Sequence, residues 1–238
     1  MGGGVYTMES RVRYSEVDSE RKLTMAALVN YMQDCCTFQS EELGIGVDYL
    51  GEHGAAWFLS SWQIELVRQL RFCDKIRIST WPYDFKGFYG YRNFTVEDEL
   101  GNVCAYANSV WVFMDVRSGR PVKIYPELTE IYQMEERYPM QYGERKLQLP
   151  AALEAKGRFA VQQEHIDTNQ HVNNECYVAM AGRYLPEHAV VKRLKAEYRK
   201  AAVLGDWIFP FVYQDSEHMV VSLADEQGRT FAAVEFGF

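Results

Sequence analysis

The order of elements written into this chain repeats. Residues 5–14 carry β-branched and aromatic side chains at several positions and read as a strand. A loop follows, then a helix opened by Thr24, a good N-cap. Met25, Leu28, Val29, Met32, Cys35 and Cys36 fall on one apolar stripe of a 3.6-residue period, and Gly44 is a natural stop. Four strand-like runs come next, at 56–66, 75–83, 91–99 and 104–115, separated by Lys86-Gly87 and Leu100-Gly101 and followed by Ser118-Gly119. Residues 157–163 restart the series with a strand. A helix capped by Asn173 or Asn174 follows, with Tyr177, Met180, Ala181 and Tyr184 on one face. Runs at 194–199, 207–213, 219–224 and 230–236 complete it. One helix and a meander of strands bury each other best when an antiparallel sheet wraps the helix. The pattern therefore predicts an α+β unit used twice.

The repeat extends to single residues. Val17-Asp18-Ser19 aligns with Ile166-Asp167-Thr168, Leu23 with Val172, and Thr24 with Asn173. Glu65 aligns with Glu197, Asp74 with Asp206, and Asp98-Glu99-Leu100-Gly101 with Asp225-Glu226-Gln227-Gly228. The expected domains are 1–125 and 157–238, joined by a polar linker at 126–156. Pro126, Pro139 and Pro150 punctuate that linker, and a short helix is expected near Glu127–Glu136.

The two copies differ where the chemistry is densest. Asp167, Asn169 and His171 lie at i, i+2 and i+4, just ahead of the second helix. They are a carboxylate, a neutral donor and an imidazole. In an extended segment all three project to one side. The first copy has Glu20 and Lys22 where the second has Asn169 and His171. A single active site is expected, in the second copy. The free N–H groups and positive dipole end of the following helix suit a developing oxyanion. A preorganised donor of that kind is worth about 3 kcal/mol of barrier. Attack of water on a carbonyl fits the set, with Asp167 or His171 as base and Asn169 as donor. Cys176 reads as a small buried residue in the first helical turn rather than a nucleophile. His165 stands outside the pattern.

Bulk properties narrow the partners. At 238 residues, 47% hydrophobic and 24% charged, the chain has ample core and surface for a soluble protein. A net charge of −8 argues against nucleic acid. A local basic stretch remains: Arg183, Lys192, Arg193, Lys195, Arg199 and Lys200, opposed by Glu187 and Glu197. It would suit an acidic carrier or a phosphate group. The five cysteines form no C-x-x-C pair, which fits a reducing compartment and disfavours a structural metal. No apolar run approaches the ~20 residues needed to span a membrane, and the N-terminal Met-Gly-Gly-Gly-Val-Tyr lacks a signal-peptide core. The expected location is cytosolic, with no cofactor or metal. A fold that contains its own pseudo-dimer suits a monomer, with a homodimer as the alternative.

Asp-x-Asn-x-His-Val-Asn-Asn followed by Tyr177 resembles the signature of the acyl-ACP thioesterases of plants and bacteria. Other stretches fit in order: Glu-Glu-Leu-Gly-Ile-Gly at 41–46, Trp57-Phe58-Leu59 leading to Trp62, Trp81 with Lys86-Gly87 and Tyr91-Arg92, and Glu197-Tyr198-Arg199-Lys200. The resemblance implies a tandem hot-dog fold, two long helices each wrapped by an antiparallel sheet. It also implies hydrolysis of fatty acyl-acyl carrier protein thioesters, with Asp167, Asn169 and His171 catalytic. The N-terminal half would shape the acyl pocket, with Met25, Val29, Met32, Trp57, Phe58 and Phe85 as lining candidates and Asn173 at the reacting end. Arg183, Arg193 and Lys195 would dock the carrier, with Arg68, Arg71, Lys75 and Arg77 as a second patch. An acyl-CoA thioesterase and a non-catalytic acyl-thioester binding module are the competing readings. In the plant enzymes an acidic residue and a cysteine follow the Glu-Tyr-Arg-Lys stretch; here Ala201 and Ala202 stand there. Water would then attack directly, with no acyl-enzyme. Glu197 would substitute only if its strand turned it inward.

Overall fold

A computed structural model of the chain describes residues 4–238. Met1–Gly3, the start of the stretch read above for a signal peptide, lie outside the described residues. The chain divides into two compact units: residues up to 60 together with 66–142, and residues 61–65 together with 143–238.

The first unit contains β1 (Tyr6–Arg11), α1 (Met25–Glu42), α2 (Val47–Glu52), most of β2 (Ala55–Leu66), β3 (Lys75–Lys86), β4 (Tyr89–Asp98), β5 (Val103–Asp115), β6 (Arg120–Pro121) and α3 (Pro126–Ile131). The strand order is β1-β3-β4-β5-β2. Antiparallel pairing is fixed by registers such as Tyr6↔Thr80, Ile78↔Val96 and Phe94↔Ala107. The helix forms where its pattern places it. The Thr24 hydroxyl accepts the Ala27 N–H at 3.2 Å. Leu28, Val29, Met32, Cys35 and Cys36 are buried, while Met25 is half-buried. Each large apolar side chain removed from water contributes about 1.5–3 kcal/mol. The Cys35 thiol donates to the Ile78 carbonyl at 3.4 Å and fastens α1 to β3. The helix stops where Gly44 takes φ +73°, a left-handed conformation that favours glycine.

A second cluster joins Ile45, Leu50, Phe113, Ile124, Leu128 and Tyr132. Residues 126–142, read from sequence as the start of a linker, therefore pack with the first unit. Their far end crosses the sheet face opposite α1. Fully buried Asn93 anchors it: its Oδ1 accepts the Tyr138 N–H at 3.0 Å and the Tyr142 hydroxyl at 2.9 Å.

The second unit contains β7 (Glu154–Ala155), β8 (Phe159–Ala160), α4 (Asn174–Gly182), β9 (Arg193–Tyr198), β10 (Trp207–Gln214), β11 (His218–Ala224) and β12 (Thr230–Gly237). The order β9-β12-β11-β10 is antiparallel throughout. Residues 61–65 of β2 pair with β9, and β7 and β8 pair with the free side of β10. Each unit is thus a hot-dog, a helix on an antiparallel sheet. Two expectations change in detail. The strand at 157–163 shrinks to Phe159–Ala160, and α4 has 9 residues against 18 in α1. Pro186 explains the early stop, because proline pushes the residue before it out of the helical region. Residues 143–155 cross the outer sheet face and are pinned there. The Leu147 N–H donates to the Glu197 carboxylate at 2.9 Å, and Arg199 donates to the Leu147 carbonyl at 2.8 Å.

Candidate active site

The 166–174 segment is not extended, which corrects the geometry assumed from sequence. It is a tight turn closed by its own carboxylate. Asp167 donates its N–H to the His171 carbonyl at 2.8 Å, and Gln170 donates to the Asp167 carbonyl at 3.1 Å. Asp167 Oδ1 accepts the Asn169 N–H at 2.8 Å and the His171 N–H at 3.2 Å. A short acidic side chain offers the local backbone this alternative to a strand ladder. Gln170 takes φ +61°, and Ile166 bridges Val172 across the base of the loop.

The first unit holds the same loop, bond for bond. Asp18 donates to the Lys22 carbonyl at 2.9 Å, and Arg21 donates to the Asp18 carbonyl at 3.0 Å. Asp18 Oδ1 accepts the Glu20 and Lys22 N–H groups at 2.8 and 2.9 Å. Arg21 takes φ +63°, and Val17 bridges Leu23. Outside the loop, Leu23 donates to the Leu70 carbonyl as Val172 does to Ala202, both at 2.9 Å. Glu20 and Lys22 form an ion pair. That pair demonstrates that side chains two apart on this turn reach each other. Asn169 and His171 occupy the same two positions of the turn. Asn169 is exposed, and Asp167 and His171 are half-buried.

The start of α4 is less open than its sequence suggests. The Asn173 side chain accepts the Glu175 N–H at 3.3 Å, and its carbonyl receives the Cys176 N–H at 3.0 Å. Two of the expected oxyanion donors are therefore engaged, which shifts that task toward the Asn169 carboxamide. Cys176 is buried, and its thiol is pushed up to about 12, first by burial and then by the Glu175 carboxylate that accepts from it at 3.4 Å. A protonated thiol at neutral pH is no nucleophile. His165 Nδ1 accepts the Gln162 N–H at 2.9 Å and its carbonyl receives the Asn173 N–H at 2.8 Å, so it frames the loop. Sequence reading placed Tyr177 on the helix face and in the signature but not its contact: its hydroxyl accepts the Ala202 N–H at 2.8 Å behind the loop. It also missed the left-handed residue at 170, because glutamine carries none of the usual Asn or Gly signal.

Residues 3–132 match the model of the acyl-ACP thioesterase N-terminal domain, and residues 150–235 match that of the C-terminal domain. The chain belongs to the acyl-ACP thioesterase family. An acyl-carrier-protein hydrolase of Cuphea viscosissima chloroplasts is 24% identical over 79% of this chain and 50% of its own length. An oleoyl-acyl carrier protein thioesterase of Arabidopsis thaliana is 22% identical over 96% of this chain and 68% of its own. The chain thus spans about half to two thirds of these plant relatives. Among solved structures, an acyl-ACP thioesterase of Bacteroides thetaiotaomicron aligns with a TM-score of 0.90 at 22% identity, covering 98% of this chain and 97% of the other. The 12:0-ACP thioesterase of Umbellularia californica aligns with a TM-score of 0.85 at 19% identity, covering 100% and 98%. These likenesses carry the fold.

In this acyl-ACP thioesterase family member Ala201 and Ala202 follow the Glu197–Lys200 stretch, Ala201 exposed and Ala202 fully buried against the loop. Glu197 does not turn toward that loop. Tyr198 donates its hydroxyl to the Asn174 carbonyl at 3.1 Å, so alternate residues of β9 face α4 and Glu197 points to the opposite side. There its carboxylate holds Leu147 and Arg199. The same alternation divides the basic stretch. Arg193 and Lys195 lie on the face with Glu197, whereas Arg183 caps α4 and stacks over Phe159 at 5.2 Å. The pocket candidates also separate. Val29 and Met32 are fully buried on α1, and Met25 and Phe58 are half-buried. Trp57 and Phe85 belong with the Phe113–Tyr132 cluster, Trp57 packing on Phe113 at 4.8 Å and Phe85 on Tyr132 at 5.8 Å.

Proposed function

We propose that this protein hydrolyses fatty acyl-acyl carrier protein thioesters, releasing free fatty acid and carrier thiol. One observation carries the reading. A loop that in the first unit holds an inert Glu20–Lys22 ion pair presents Asn169 and His171 in the second. Family membership and the named activities of the plant relatives support the substrate class.

The Asn169 carboxamide donates to the thioester carbonyl as it becomes an oxyanion, a contribution of about 3 kcal/mol. Water attacks the carbonyl carbon, and its proton passes to a basic side chain of the loop. The C–S bond then breaks, and the sulfur takes up the proton as it leaves. No covalent intermediate is needed, since the Cys176 thiol stays protonated and Ala201 and Ala202 offer no nucleophile. Met25, Val29 and Met32 are assigned to the acyl chain, and Arg193 and Lys195, which share one face of β9, to the acidic carrier. The free state of all five cysteines supports a reducing, cytosolic setting.

Thiol release from a panel of acyl-carrier substrates, matched against the same chains on CoA, tests this. Turnover with a higher kcat/KM for the carrier is expected. A preference for CoA transfers the reading to an acyl-CoA thioesterase. Absence of thiol release at every chain length leaves a binding module.

A further inference from the structure

We propose that Asp167 is a positioning residue and that His171 alone takes the proton from water; this rests on the hydrolase reading above. The argument comes from the twin loop. Asp18 makes the same two carboxylate bonds, to the N–H groups two and four residues ahead. Glu20 and Lys22 there offer no neutral donor and no imidazole for it to serve. What Asp18 does in that loop is closure: it accepts two backbone donors of the turn and holds Arg21 in the left-handed region. Asp167 makes the same bonds at 2.8 and 3.2 Å around Gln170 at φ +61°. A function present in both copies is not what distinguishes the reactive one. The distinguishing side chains are Asn169 and His171. Of these only the imidazole can both take up and give up a proton, as a base for water and then as the acid for the departing sulfur.

The proposal separates acceptor geometry from basicity. In Asp167→Asn the carboxamide oxygen still accepts both N–H groups, but the side chain cannot act as a base. Asp167→Ala removes the acceptor altogether. Asp167→Asn is expected to keep kcat within about tenfold of wild type and to retain the wild-type acid limb of the pH–rate profile. Asp167→Ala is expected to lose about 10²-fold in kcat with a much smaller change in KM, the scale set by misplacing a reacting group by about 1 Å. Asp18→Asn in the twin loop should lower Tm by the same amount as Asp167→Asn. The proposal is overturned if Asp167→Asn falls as far as Asp167→Ala, if its acid limb disappears, or if Asp167→Ala keeps full activity. It is equally overturned if Asp167→Asn is insoluble while Asp18→Asn folds. These outcomes leave the hydrolase reading intact as long as the wild type releases thiol. An inactive wild type removes the hydrolase reading first and this proposal with it.

Discussion

The 17–24 loop and the 166–173 loop share their backbone hydrogen bonds, a left-handed residue at the same position and their clamping aspartate, and diverge in chemistry where Glu20 and Lys22 stand against Asn169 and His171. The comparison assigns tasks within eight residues. Features common to both loops belong to folding: Asp18 and Asp167, Arg21 and Gln170, and the bridges at their base. Features of one loop belong to chemistry. The inert loop is an internal control that no engineered variant would match, because it sits on the same kind of sheet under the same kind of helix start.

The largest test of that division exchanges its two sides. Asn169→Ala or His171→Ala is expected to lower kcat by about 10²–10⁴-fold, while Glu20→Ala and Lys22→Ala leave thiol release unchanged. Comparable losses from both loops would end the assignment of chemistry to the second. A smaller effect separates stability from turnover. Asp18→Ala strips two backbone donors of a charged acceptor and should cost about 1–3 kcal/mol in urea unfolding, with kcat of the folded protein preserved. A stability cost near zero would remove the clamp from the common features. The smallest effect concerns the thiol beside the reactive loop. With its ionisation pushed up to about 12, Cys176 remains a thiol through pH 9, whereas Cys73 is exposed. Iodoacetamide at pH 8 should therefore label Cys73 and spare Cys176, and Cys176→Ala should alter kcat by less than about threefold. Rapid labelling of Cys176 with loss of activity would restore it as a nucleophile.

Much of this was legible in the sequence because the repeat speaks through period and order. The α1 stripe, the five long strands around it, and the pairing of Asp18 with Asp167 all follow from spacing that side-chain burial enforces. What failed to show was set by local competition and by distance along the chain. The extended form of 167–171 was plausible until a carboxylate captured two neighbouring N–H groups, a choice invisible in alternation. The basic stretch from Arg183 to Lys200 looks like one patch when written out. A strand sends neighbours to opposite faces, so its members part company. Glu197 reads as an acid in search of a reaction, and its partner Leu147 lies 50 residues earlier. The halved length of α4 follows from Pro186, but only once the last helical turn is placed against it.

The connector's two short pairings with β10 bear on how the protein behaves in a crowded solution. Strand β10 ends its sheet, and an unpaired strand edge is a template for other chains. Phe159–Ala160 covers Trp207–Ile208, and Glu154–Ala155 covers Phe211–Val212. Between them stands Pro210, which has no N–H to offer, while Lys156 donates to its carbonyl at 2.9 Å. These short pairings thus cover the edge along which copies of this aromatic-rich strand could otherwise pair. The connector therefore also serves as an edge guard for the second unit's sheet.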